Sequence, residues 1–172
     1  RGVVVFPGCE ITTGTGSDGV HLIIIGDPSR TAEDFTQLLA GPLGFDHQHP
    51  RFHQDSTGRK PGSSGKTLVQ ILENLPRDYL VIAPHGLTEN GIASGHTAKG
   101  DIRWKALHHE RLSAIDPGDC SNPNGDGFNY KFRRRALDNF PCLDRIAFVS
   151  TSDAYSLDDL GCRYSWIRMA TP

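Results

Sequence analysis

Between Val3 and Gly26 the chain reads VVVFPGCEITTGTGSDGVHLIIIG, two short β-branched apolar runs separated by a Gly-rich stretch. Runs of four such residues are too short for helices and too apolar for loops. VVVF (3–6) and LIII (22–25) are therefore predicted to be buried strands. Beside each stands a residue that a buried sheet does not select for packing. Glu10 follows the first run after Pro7-Gly8, and His21 opens the second. A carboxylate and an imidazole at the ends of neighbouring core strands are costly to desolvate unless a cation or a paired base holds them. Taken as a pair, the two also fit a solvated loop carboxylate and a capping histidine.

The remainder alternates helix and strand signals. In DPSRTAEDFTQLLAG (27–41), Ser29 or Thr31 can cap a helix, Glu33 and Asp34 suit its positive end, and Gly41-Pro42 stops it. Residues 44–65 read as a long polar loop. A second helix is predicted over 66–75, with Leu68, Ile71, Leu72 and Leu75 on one face. YLVIAPHG (79–86) reads as a buried strand ending in His85, followed by a Gly-rich loop to 101 and a short helix within 102–113. LSAID (112–116) reads as a short strand, 117–130 as turns, and 131–139 as a basic helix. RIAFVSTSDAYS (145–156) reads as a strand ending in Asp153, and 156–169 as a short helix, a stop at Gly161 and a last strand.

At 172 residues this is material for one domain spanning 1–172. A net charge of −2 gives no global electrostatic reason to bind nucleic acid or a membrane surface, and no apolar run approaches bilayer length. Cys9, Cys120, Cys142 and Cys162 form no CxxC pair, which argues against a zinc ribbon or a redox motif and for a reduced, cytoplasmic chain. The chain opens with Arg1 almost directly on an apolar run, as expected of a piece of a longer protein.

Glu10, His21, His85 and Asp153 all lie at or beside the end of an apolar run. In parallel α/β architectures, residues just past the carboxyl ends of strands converge on one face, where active sites are built. Two imidazoles and two carboxylates there form a metal-ligand set by residue type.

FPGCEIT, VHLIIIG, VIAPHG and TSDAYSLDDLG, in that order and spacing, resemble the successive motifs of the PHP (polymerase and histidinol phosphatase) domains. The ending SLDDLGCRYSWIRM is most similar to PHP domains fused to ATPases of the AAA or chromosome-maintenance (SMC) type. The resemblance implies a distorted, seven-stranded (β/α) barrel of α/β class and a metal-dependent phosphoesterase. It further implies divalent ions (Mn, Zn or Fe), a phosphorylated substrate that includes nucleic acid, and an ATPase domain or subunit as partner. Gly8-Cys9-Glu10 matches the family's GxE motif, His21 and His85 its following histidines, and Asp153-Ala154-Tyr155 its closing Asp-x-His. Glu10, His21, His85, Asp153 and Tyr155 are the metal ligands so implied, with Glu10 bridging two ions. Two departures stand out. The family's opening His-x-His belongs upstream of GxE, so the domain is expected to be incomplete at its N-terminus. Tyr155 replaces a histidine, and a phenol is a poor ligand unless an ion acidifies it. The alternative is a catalytically degenerate scaffold or regulatory module.

Other motifs have plainer uses. Gly14-Thr15-Gly16-Ser17-Asp18-Gly19 fits GxGxxG, but a strand follows it where a dinucleotide site needs a helix, so a β-hairpin loop is expected. Gly65-Lys66-Thr67 ends like a phosphate-binding loop without the preceding strand, which suits helix capping. His47-Gln48-His49 lies in a polar loop and reads as surface, whereas His96, after His85, can reach the site. Lys131 with Arg133-Arg134-Arg135 reads as a solvated face that could also guide a phosphate backbone.

Overall fold

The computed structural model describes residues 4–14, 19–88, 90–94, 100–118, 127–151, 156–159 and 162–165. In chain order the elements are β1 (Gly8–Thr12), β2 (His21–Ile25), α1 (Ala32–Ala40), β3 (Phe52–Asp55), β4 (Gly58–Pro61), α2 (Leu68–Asn74), β5 (Leu80–Ala83), α3 (Ile102–His108), β6 (Ala114–Ile115), α4 (Phe128–Arg133) and β7 (Ala147–Phe148). Single 3-10 turns lie at Pro141–Asp144 and Leu157–Asp159.

Five strands form one mixed sheet in the order β1-β2-β5-β6-β7, and β3 and β4 form a separate two-stranded ribbon. The β1-β2-β5 side is antiparallel and the β5-β6-β7 side parallel. Among the described residues the strands make this open mixed sheet, and no closed barrel is seen. Pairing of Glu10 with Ile23, Thr12 with His21 and Ile23 with Ile82 fixes which side chains share a face. Glu10, Thr12, His21, Ile23 and Ile82 lie on one side. Ile11, Leu22, Ile24, Val81 and Ala83 lie on the other, where they are buried in one cluster with Leu38 of α1 and Leu68, Ile71 and Leu72 of α2.

The first strand is displaced from its predicted place. Residues 4–6, the described part of that run, do not pair, and Val4 and Val5 are 47% and 72% exposed. Pairing begins at Gly8, just after the Pro7 carbonyl accepts a hydrogen bond from Gly26 N at 2.8 Å. Pro7 has no N–H to give a ladder, and β-branched composition states a preference without supplying a partner strand. Glu10 consequently lies within a strand instead of following one. The 44–65 stretch is likewise more ordered than a loop, since β3 and β4 are closed by a turn in which Asp55 Oδ1 accepts from Thr57 N and Oγ1 at 2.7 Å.

The helices start where capping chemistry directs. Thr31 with Asp34, and Thr67 with Gln70, form reciprocal capping boxes, so Gly65-Lys66-Thr67 is a helix start. β1 and β2 pair antiparallel, and residues 15–18 of the Gly-rich stretch between them, on which the expected hairpin loop falls, lie outside the described residues. Among the described residues, the predicted strands around 79–86, 112–116 and 145–156 appear as 80–83, 114–115 and 147–148, with 152–155 outside the description.

Truncation of Ile24, fully buried, to Ala is expected to cost about 2–5 kcal/mol in urea unfolding. Leu80→Ala, at a side chain 53% exposed, should cost under about 1 kcal/mol. Equal losses at the two positions would contradict the assignment of the core face.

Candidate metal centre

Glu10 and His21 occupy diagonal positions on the same face of the β1-β2 pair, one pleat apart. Long side chains bridge that spacing. Glu10 Oε1 lies 3.0 Å from His21 Nδ1. The third member arrives from a distant part of the chain. Beyond β5, residues 84–87 form a turn that carries His85, whose Nε2 lies 3.2 Å from His21 Nδ1, with the rings edge to face at 74°.

The turn holding His85 is tightly wound. His85 adopts φ 35° and Asn90 φ 61°, both in the left-handed region that non-glycine residues seldom enter. Several bonds over-determine this conformation. The His85 carbonyl accepts from Thr88 N and Oγ1, each at 2.9 Å, and Gly86 N donates to the Asp116 carbonyl at 2.6 Å. His21 N donates to the Asn90 carbonyl at 3.1 Å, tying the turn to the strand that bears the second imidazole. A Cβ on Gly91 would stand 2.4 Å from the His85 carbonyl oxygen, so only glycine fits there.

The three donor atoms, a Glu10 carboxylate oxygen and one nitrogen each of His21 and His85, all lie within 4.8 Å of one another. Donors bound to one divalent ion at about 2.0–2.1 Å stand roughly 3.0–3.4 Å apart along a shared edge. The observed 3.0 and 3.2 Å separations match that spacing. A single Nδ1 carries either a proton or a lone pair, so it cannot serve as donor to Glu10 and as acceptor from His85 at once. A cation at the common point satisfies all three lone pairs together. The set therefore fits a metal in donor chemistry and spacing. One support is missing among the described residues: His85 Nδ1 is buried without a hydrogen-bond partner. Ligating histidines usually donate that second N–H to an acceptor.

Electrostatics favour an ionised Glu10. The hydrogen bond from His21 holds its carboxyl below the ordinary value of 4.5 against the opposing effect of burial, and attraction to His21 and His85 adds to it. Cys9, adjacent in β1, is half-buried against the core, and burial pushes its thiol up to about 11. It behaves as a small hydrophobe at neutral pH, as the sequence indicates.

Of the five expected ligands, Glu10, His21 and His85 are brought together, while Asp153 and Tyr155 lie outside the described residues. His96 and Cys120 also lie outside them. His47 and His53 are exposed, and His49 pairs with Asp46 at 3.3 Å, in keeping with a surface segment. The basic run is only partly a solvated face. Arg135 donates to the Ile146 carbonyl at 2.8 Å and lies over Phe148, and Arg134 lies over Tyr130.

Asp116 was not singled out from sequence, although a carboxylate closing the apolar run LSAID is the same signal that marks the others. It is 2% exposed and fully engaged. Its carboxylate accepts from Gly118 N at 2.8 Å, from Thr151 N at 2.9 Å and from Thr151 Oγ1, and faces Arg163 at 3.5 Å. It thereby ties the end of β6 to the segment after β7 and shapes the floor under the His85 turn.

Comparison of the chain with family models, with curated proteins and with solved structures finds no match.

A carboxyl held at a lower pKa in the folded state adds stability above its unfolded pKa and loses it as pH falls through the folded value. Without added metal, the wild-type chain should exceed Glu10→Gln in urea midpoint at neutral pH. The gap should close as pH drops below about 4.5. A gap independent of pH would show that the His21 contact does not stabilise the carboxylate.

Proposed function

We propose that this chain is a metal-dependent phosphoesterase domain of the PHP type, hydrolysing phosphate esters. Its resemblance to PHP domains joined to ATPases makes a nuclease the natural form within a larger, cytoplasmic, ATPase-containing protein. The carrying observation is the meeting of Glu10, His21 and His85 within one ion's reach, although 75 positions separate the first from the last. These are three of the five residues that the motif resemblance assigns to metal.

Glu10, His21 and His85 would hold a divalent ion (manganese, zinc or iron), which when bound would supply a more acidic water as nucleophile and neutralise charge on the phosphoryl oxygens. The protein's part is to present ligands in fixed directions. Glu10, ionised and anchored in β1, would offer its carboxylate to the metal, and the motif resemblance implies that it bridges two ions. His21, held through its backbone to Asn90, and His85, held by its strained turn, each offer one nitrogen. Asp153 and Tyr155 belong to the same set in this reading. No helix among the described residues is long and apolar enough to cross a membrane.

A second reading, a degenerate scaffold or regulatory module, is favoured by Tyr155 in place of histidine and by the unpartnered His85 Nδ1. Loss of such supporting contacts lowers metal affinity by about 10–100-fold. Weak or incomplete metal binding is therefore expected for this chain.

Calorimetric titration with Mn2+ and Zn2+ should show weak binding of about one ion per chain, weakened at least about tenfold in His85→Ala and in His21→Ala. Added Mn2+ should support hydrolysis of bis-p-nitrophenyl phosphate, and both variants should lose it. No bound ion and no turnover would favour the scaffold, and tight occupancy by three ions would contradict the expected weak binding.

A further inference from the structure

The ribbon of β3 and β4 packs beyond the outer edge of β1, and between them a cavity of about 360 Å³ opens onto the candidate metal centre. This is the lower end of the range for sites that take small organic ligands. Its two kinds of wall differ sharply. One end is polar and belongs to the centre, Glu10 and His21. The body is apolar, built from Ile11 and Cys9 of β1, Leu39 of α1, Phe45, and Phe52 of β3. Arg51 also lines the cavity. The residue is exposed, and its guanidinium donates one hydrogen bond, from Nη2 to the Thr36 carbonyl at 3.3 Å, which leaves its other N–H groups for a ligand.

Phe52 is 48% exposed, unusual for an aromatic ring in a short ribbon, and Arg59 from β4 lies over it at 4.0 Å. Such a cation contact holds the ring and keeps a positive charge beside it. A ligand matching this layout has an anionic head for the cation-holding end and for Arg51, joined to a flat, apolar body that packs against Phe45 and Phe52. Small anions leave the apolar body unfilled, and uncharged hydrocarbons leave the polar end unpaired.

We infer that this cavity is the subsite for the organic group of the substrate, and that the substrate is a phosphate ester whose organic group is a flat aromatic ring. The inference rests on the phosphoesterase reading for the identity of the head group. The cavity of about 360 Å³ accommodates one ring system beside the phosphoryl group and not an extended polymer segment. The remaining units of a longer substrate would pass along the ribbon, where Arg59 and Lys60 are exposed.

Benzylphosphonate and methylphosphonate share a head group and differ only by the ring, and neither can be hydrolysed. Calorimetric titration of each into the full 172-residue chain, with and without Zn2+, separates the two ideas. Benzylphosphonate is expected to bind at least about tenfold more tightly than methylphosphonate. Leu39→Trp, which fills the cavity, should abolish that preference, with zinc stoichiometry unchanged. Phe52→Ala, at an exposed ribbon position tolerant of truncation, should reduce it several-fold. Equal affinity for the two phosphonates, binding of neither, or a preference that survives both substitutions would overturn the inference. A ring preference seen only without dependence on Zn2+ would uphold the subsite, with Arg51 holding the head, and would count against the metal reading. Zinc binding with no ring preference would do the reverse.

Discussion

The pairing register of β1, β2 and β5 is the constraint on which the rest of the molecule depends. With side chains alternating across a strand, pairing of Thr12 with His21 and of Ile23 with Ile82 sends Ile11, Leu22, Ile24, Val81 and Ala83 into the core. The same pairing sends Glu10 and His21 to the open side. A slip of one residue would bury an acid and an imidazole and expose several branched aliphatic side chains. The hydrophobic effect on one face therefore holds the chemistry on the other in place, and no local device at Glu10 or His21 is needed.

The third donor is placed by different means. His85 lies past the end of β5 in a turn with left-handed backbone, which is unfavourable by about 1–3 kcal/mol at such a position. Thr88, Gly91 and the backbone link from Gly86 to Asp116 confine it, and the bond from His21 N to the Asn90 carbonyl joins that turn to β2. Asp116 extends the same scaffold. By accepting from Gly118 and Thr151 it couples the end of β6, the parallel neighbour of β5, to the segment after β7, the strand beyond it. A buried carboxylate surrounded by four donors is a structural tie, and its employment distinguishes it from Glu10, which is half-exposed and faces two imidazoles.

Glu10 marks the boundary between two environments. On one side it meets His21 and His85, with one donor atom of each residue within 4.8 Å of the others, and on the other it borders an apolar cavity walled by α1 and the β3-β4 ribbon. Charge stabilisation and apolar contact thus meet at one residue of an edge strand. Because β1 has β2 as its one strand neighbour in the sheet, its outer edge leaves room for that cavity, with the Thr12–Ser63 bridge and Ser64 N donating to the Thr12 carbonyl at 2.9 Å at the end of the strand.

Several features were legible in the sequence because they depend on local chemistry. Thr31 and Thr67 announce their helices through hydrogen bonds to residues three positions on, and apolar runs announce LIII and LVIA as core strands. Glu10, His21 and His85 were legible as polar residues beside such runs. What depends on partners was not. VVVF has strand composition, yet its described residues 4–6 find no strand to pair with, and the polar 44–65 segment hides a ribbon whose apolar contact, Phe52, has meaning only against β1 and α1. The employment of Asp116, the antiparallel half of the sheet and the 3.2 Å meeting of His21 with His85 come from pairings across dozens of residues. Residue types and their local periodicity are written in one dimension. Which lone pairs face one another is decided only when non-local burial selects a register, and that selection is a property of the folded chain.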